Sequence, residues 1–354
     1  MNNLKKILLF FAVAMLLAVR VSAQNIQVID SDGQGIPLAS ILTEEGIMIG
    51  TTNLDGMFDM KGAAKVVVTH IAYKPLEVTA AAVKNGRITM EDQDYGLAEI
   101  TITPKQYLYV EAYYRVYVYR NDSLCYFWGG IMPNAYDPKK KKHEHGSYYQ
   151  SYGDYYSKMG AAIIWGARAQ EFHAGLVQTR ELTEKFLKDK YYTTPTVKSP
   201  SQKLYSNPQG TVGNLIKSGS QVRVTLDAGK MQMYVNEVKG QTKVLEKRRE
   251  KEYEYKYTLI YDDDEGKAYD VTNFVMETNH WEYTDKKSHV KFIIENYAVD
   301  HAFINKEEWK AKKSELKQKY KAVMTLGQLE DYERLHNIPS LAPSVRRAIL
   351  KLRK

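Results

Sequence analysis

The sequence predicts a mainly β protein: an amino-terminal β-sandwich, then a β-rich α+β region containing an antiparallel meander, then short carboxy-terminal helices. Three observations carry this expectation. Over residues 24–103, short apolar runs recur about every ten residues with clusters of Asp, Asn and Gly between them, the pattern of a sandwich. Tyrosine is abundant, 28 of 354 residues, and beyond Pro104 it alternates with period two, which places one aromatic face on each strand. From Lys306 onward that alternation stops, and two helix-start patterns take its place, Asn305 with Glu308 and Thr325 with Gln328.

The first residues read as a secretory signal peptide. Lys5 and Lys6 precede an unbroken apolar run over 7–19, and Val21-Ser22-Ala23 supplies the small residues a signal peptidase reads. Thirteen residues as a helix span about 20 Å, short of the roughly 30 Å of a bilayer core, so a retained span is not expected. No cysteine follows the run, so no lipid anchor is expected. The mature chain is expected to start at Gln24, without a transmembrane segment.

Within 24–103 the expected strands are 25–30, 38–42, 48–52, 57–60, 65–71, 76–79, 87–90 and 99–103. Asp30-Ser31-Asp32-Gly33, Thr52-Asn53-Leu54-Asp55-Gly56 and Lys84-Asn85-Gly86 are turns, each supplying Asp, Asn or Gly where positive φ is needed. Five stretches stand out in order: Val28-Ile29-Asp30 leading to Gly33; Ile36-Pro37-Leu38-Ala39-Ser40-Ile41; Gly50-Thr51-Thr52-Asn53-Leu54-Asp55-Gly56-Met57-Phe58; Thr69-His70-Ile71-Ala72-Tyr73-Lys74; and Leu97-Ala98-Glu99-Ile100-Thr101-Ile102. Together they resemble the carboxypeptidase regulatory-like domain, a transthyretin-like sandwich found in exported proteins of Gram-negative bacteria. Asn53 stands where that family has Asp, and Ala72 where it has Gly. The resemblance covers under a quarter of the chain. It implies a non-catalytic module and a periplasmic or outer-membrane-associated location.

In the second region, 104–305, tyrosines at 107, 109, 113, 117, 119 and 126 mark strands. A polar, basic loop is expected over 137–145 and a helix over 179–191, with Leu182, Phe186 and Leu187 on one side. A loop rich in Thr, Ser, Pro and Asn, a linker or mobile cover, is expected over 193–213. The meander follows, with strands at 221–226, 231–238, 251–261, 268–277 and 290–297. Its texture loosely resembles the half-barrel sheets of periplasmic lipoprotein carriers. Tyr253, Tyr255 and Tyr257 form a row that either packs on a helix or stacks a ligand. Pro339 and Pro343 set off a last short basic helix.

Charge points away from nucleic acid. Of the net +8, the leader holds three bases, and the segment 306–354 holds 13 bases against 6 acids. The body between is near −2, and the basic tail reads as a solvated helix face or a contact for an acidic or lipid surface. One cysteine, Cys125, allows no internal disulfide, and its apolar neighbours mark a packed thiol.

The search for chemistry returns little. No histidine is followed three residues later by glutamate, and HExxH is absent. His143-Glu144-His145 is the only histidine cluster, and Lys139–Lys142 beside it would oppose a dication. Asp262-Asp263-Asp264-Glu265-Gly266 has the form of a hairpin turn rather than a calcium loop. Nucleophile-elbow and phosphate-loop patterns are absent. His70 reads as a hydrogen-bonded strand histidine. Asp122-Ser123-Leu124 resembles a periplasmic O-glycosylation acceptor at Ser123. No catalytic, cofactor-binding or metal residue is assigned, and no cofactor is expected. The expected function is a non-enzymatic envelope protein that binds a partner protein, lipid or glycan, with no nucleic acid partner. The alternative is a periplasmic hydrolase whose site forms only in the fold.

Overall fold

The computed structural model describes residues 25–60, 62–83, 85–93, 107–137, 142–145, 150–155, 183, 186–188, 192–231, 253–262, 274–284, 288–319 and 323–352. The protein is mainly β, with three sheets among the described residues and short carboxy-terminal helices.

Seven strands build the sandwich: β1 (Asn25–Ile29), β2 (Ser40–Leu42), β3 (Met48–Thr51), β4 (Met57–Asp59), β5 (Lys65–His70), β6 (Tyr73–Thr79) and β7 (Arg87–Thr89). One sheet runs β4-β1-β7 and the other β3-β2-β5-β6. Alternation explains the filling. Ile26 and Val28 of β1 meet Val66 and Val68 of β5 in one cluster with Ile36, Ile41 and Met90, all fully buried. Each such side chain contributes about 1.5–3 kcal/mol.

The turns form where the sequence places Gly and Asn. Gly56 has φ +76°, and a Cβ there would sit 2.4 Å from the Val28 carbonyl oxygen. Thr52 locks the neighbouring crossover, donating to the Ile36 carbonyl at 2.6 Å and accepting from the Ala39 N–H at 2.9 Å. The strand expected over 99–103 lies outside the described residues.

The second body is an 11-stranded antiparallel sheet. Its long hairpin is β8 (Tyr107–Arg120) and β9 (Ser123–Asp137), joined by Asn121 and Asp122 at φ 48° and 66°. Two successive positive-φ residues form the tight loop whose twist matches antiparallel strands. The meander then runs β12 (Thr194–Ser199), β13 (Gln202–Asn207), β14 (Gly210–Ser218), β15 (Gln221–Asp227), β16 (Tyr253–Asp262), β17 (Phe274–Thr284) and β18 (His289–Ile304). Strand β18 also pairs with β8, which joins the end of the meander to the β8–β9 hairpin and leaves β12 at the opposite edge. β10 (Lys142–His145) and β11 (Gln150–Tyr155) both pair with β9 at one edge.

Several expectations change here. The loop expected over 193–213 is the β12–β13 hairpin and the start of β14. Strand β12 is the outer edge and lies exposed along its length, so it carries no apolar alternation. Pro195 and Lys198 suit an unpaired edge. The basic loop over 137–145 ends in strand β10. Met231 is helical rather than the first residue of a strand, and residues 232–238 lie outside the described set. Of the helix expected over 179–191, Thr183 and 186–188 are described and helical, with Phe186 buried against Tyr192.

Three helices close the chain: α1 (Lys306–Lys319), α2 (Leu326–Leu335) and α3 (Pro343–Lys351). Both capping boxes are present. Asn305 and Glu308 exchange side chain-to-backbone bonds of 2.8 Å each, and Thr325 does the same with Gln328. Pro343 starts α3, where its missing N–H costs nothing.

These helices are wedged rather than peripheral. Trp309, Leu326, Leu329, Val345 and Ile349 share one core with Tyr107, Tyr113 and Tyr297 of the large sheet and with Leu42, Met48, Val67 and Ile71 of the sandwich. Gly129 of β9 lets α2 approach, since a Cβ there would lie 3.1 Å from Leu329.

Candidate functional site

One face of the large sheet carries the odd-numbered residues of β8. Tyr113, Arg115 and Tyr117 therefore point together toward the helices and the sandwich. Arg115 is 3% exposed and Glu333 of α2 is fully buried. The guanidinium reaches Glu333 Oε1 through Nε at 3.0 Å and through a terminal nitrogen at 2.8 Å. It also donates to the Pro339 carbonyl, and reaches Glu295 of β18 at 3.4 Å. Tyr113 donates its hydroxyl to the same Glu333 carboxylate, and Tyr117 donates to Glu295 at 3.2 Å. The cation lies over the rings of Tyr113 and Tyr297, at 5.5 and 5.8 Å.

Burial works against the Arg115 charge, yet Glu333 and the surrounding tyrosines hold its pKa well above the usual value. Burial pushes the Glu295 carboxyl up, and Arg115 and Tyr117 only partly offset that. Burial also keeps Tyr113, Tyr117 and Tyr297 as neutral phenols. A guanidinium already engaged with two carboxylates, a carbonyl and two rings is a structural tie between β8, α2 and the 339–342 loop.

A second polar joint lies toward the middle of the meander. Arg223 of β15 crosses to the sandwich, pairing with Asp30 at 3.3 Å and donating to the Tyr73 hydroxyl. The remaining Asp30 oxygen accepts the N–H groups of Asp32 and Gln34 at 3.1 and 2.8 Å, fixing the turn after β1. His70 packs on Tyr73 with ring centroids 5.2 Å apart, and its Nδ1 accepts the Ala72 N–H at 3.2 Å. Between the two joints is a cavity of about 30 Å³ lined by Ser40, Thr69, His70, Arg115, Tyr117 and Glu295, room for a water molecule and no larger ligand.

The larger concavity is on the sandwich itself. A groove of about 690 Å³ opens between β6 and β7, floored by Ile29, Leu76, Val78 and Ile88 and rimmed by Glu77, Asn85 and Arg87. Among the described strands, β6 and β7 each end their sheet, so the groove lies where the two layers part. It is an open concavity with an apolar floor and a polar rim.

The residues singled out from sequence are dispersed. His70 is buried and hydrogen-bonded in the joint. Cys125 is half-buried, its thiol donating to the Val118 carbonyl at 3.4 Å, and burial pushes its pKa up. Ser123 is exposed at the start of β9. Tyr257 is fully buried, its hydroxyl 3.0 Å from that of Thr183, so this member of the tyrosine row packs on the helical segment.

The side chains of His143, Glu144, His145, Tyr253 and Tyr255 lie outside the described set, as do residues 263–266. Among the described residues, no group of three or more His, Cys, Asp or Glu is placed to hold a metal, and no helix is long and apolar enough to cross a membrane. Sequence reasoning missed Arg115, Arg223, Glu295 and Glu333. For Arg115 a signal existed: it falls in phase with Tyr113 and Tyr117, so a charge was due on the inward face. A scan against family models and a search of curated proteins return no match.

Proposed function

We propose that this chain is a non-enzymatic exported envelope protein of a Gram-negative bacterium that binds a partner protein, lipid or glycan through a carboxypeptidase regulatory-like sandwich. The observation that carries the reading is the groove between β6 and β7, with its apolar floor and polar rim. The Arg223 joint supports it, because its polar groups are spent on one another and hold the sandwich against the large sheet, and the Arg115 tie likewise spends its charges within the fold. The leader supports export, and cleavage after Ala23 gives a mature chain whose intact mass begins at Gln24.

The test is capture from envelope fractions with residues 24–354 as bait, comparing wild type with Ala82→Trp, an exposed groove residue enlarged to fill the site. A ligand retained by wild type and lost by the variant supports the reading. Equal retention by both places binding elsewhere, and no retention removes the reading.

A further inference from the structure

The joint between sandwich and large sheet brings together one histidine from each body. His70 ends β5 of the sandwich, and His280 lies on β17 of the sheet directly opposite Ile293 of β18, which lines the same small cavity as His70. Both are buried, at 6% and 7% exposure. Each faces a cation: Arg223 acts on His70, and Lys256, directly opposite His280 in the β16–β17 register, acts on His280. The Nε2 of His70 is buried with no hydrogen-bond partner among the described residues.

The other groups around the joint are Asp30 after β1, Tyr73 on β6 and Asp92 beyond β7. Across the cavity stand Arg115 and Tyr117 of β8, with Glu295 of β18. The 339–342 loop brings no charge. Asp30 is already engaged by Arg223 and by two backbone N–H groups, so it leaves little to neutralise two further cations.

We propose that this joint is an acid-sensitive hinge: in mildly acidic solution His70 and His280 take up protons, and the sandwich swings off β15–β17 while pivoting on its apolar contact with α3. Closed, the joint holds both imidazoles neutral, His280 with a pKa near 3 through burial and Lys256, and His70 well below the usual value through burial, Arg223 and His280. Opening hydrates them and restores ordinary values near 6.5. Each histidine then favours the open state tenfold per pH unit below that value. Two histidines over one and a half units give about a thousandfold at pH 5. Glu295 works in the opposite sense, because burial raises its pKa in the closed form. Hydrating it on opening therefore opposes the two histidines and reduces the response.

Hydrogen exchange of the full mature chain, corrected for its intrinsic pH dependence, reads this directly, with small-angle scattering as the shape readout. Between pH 7 and 5, residues 70–74 and 221–225 should lose protection, by up to about 1000-fold. Residues 107–119 and 290–297 should keep theirs, and the radius of gyration should rise. His70→Asn with His280→Gln, which preserves an acceptor at the Nδ1 position of His70, should abolish the response. His280→Gln alone should remove about 30-fold of it and serves if the double variant does not fold. An unchanged response in these variants overturns the proposal. So does a wild-type joint that stays protected at pH 5, or protection lost from all segments together.

Discussion

Replacing Glu333 by alanine tests the tie between α2 and the large sheet. Glu333 is fully buried, and its carboxylate receives two Arg115 nitrogens, at 3.0 and 2.8 Å, and the Tyr113 hydroxyl. Its loss leaves a buried guanidinium with Glu295 at 3.4 Å and the Pro339 carbonyl. Breaking one side of a buried pair costs about 3–5 kcal/mol, and a stranded phenol hydroxyl adds about 1 kcal/mol. The variant should therefore lose about 4–6 kcal/mol. In a chain of this size that lowers Tm by roughly 6–12 °C.

Urea unfolding followed by near-ultraviolet circular dichroism measures it, since the tyrosines report the packing around Arg115. The double variant Arg115→Met with Glu333→Leu should recover most of the loss, because apolar residues of similar volume remove both charges at once. A loss under about 1 kcal/mol, the value of an exposed pair, would refute the reasoning and place Glu333 in contact with water.

Three further outcomes follow from the same packing. His280 should make the protein acid-labile: its pKa is near 3 when folded and near 6.5 unfolded, so its contribution is intact above pH 6.5 and falls by about 1.4 kcal/mol per unit below it. Urea titrations at pH 7 and 5 should show that difference shrink in His280→Gln. Gly56→Ala should cost more than 3 kcal/mol or prevent folding, because its Cβ would press on the Val28 carbonyl at a φ of +76°; thermal melts of residues 24–354 measure this. Deleting residues 341–354 should abolish the cooperative melt rather than merely change how the protein partitions, since Leu341, Val345, Ile349 and Leu352 belong to the shared core.

Legibility followed the strength of local signals. The sandwich strands from β1 to β7 could be read because β-branched runs and Asp/Asn/Gly turns coincide there, and Gly33, Gly56, Asn85 and Gly86 all adopt the positive φ their turns require. Both capping boxes were readable for the same reason. Strands β12 and β13 were not, because an exposed edge hairpin buries little and so leaves no alternation; its Thr, Ser, Pro and Asn look like a loop.

The sandwich reads as a self-contained module, yet Leu42, Met48, Val67 and Ile71 turn outward into the helical wedge, and local sequence cannot show which outward residues will be covered. The Arg115–Glu333 pair spans more than two hundred residues, so the pairing itself was invisible before the fold. Within the basic tail, α3 buries its apolar side and leaves Arg346, Arg347 and Lys351 exposed. Arg346 pairs with Glu330, and Arg347 donates to the Glu44 carbonyl. Of these charges, Arg346 is balanced by an acid.

The central claim, that the sandwich groove is the binding surface, is tested most directly by photocrosslinking in intact cells. A photoreactive residue at Ala82, inside the groove, is compared with one at Val197, 66% exposed on the far edge strand. The account predicts an envelope adduct from position 82 and none from position 197. Adducts from position 197 alone, or equally from both, would contradict it.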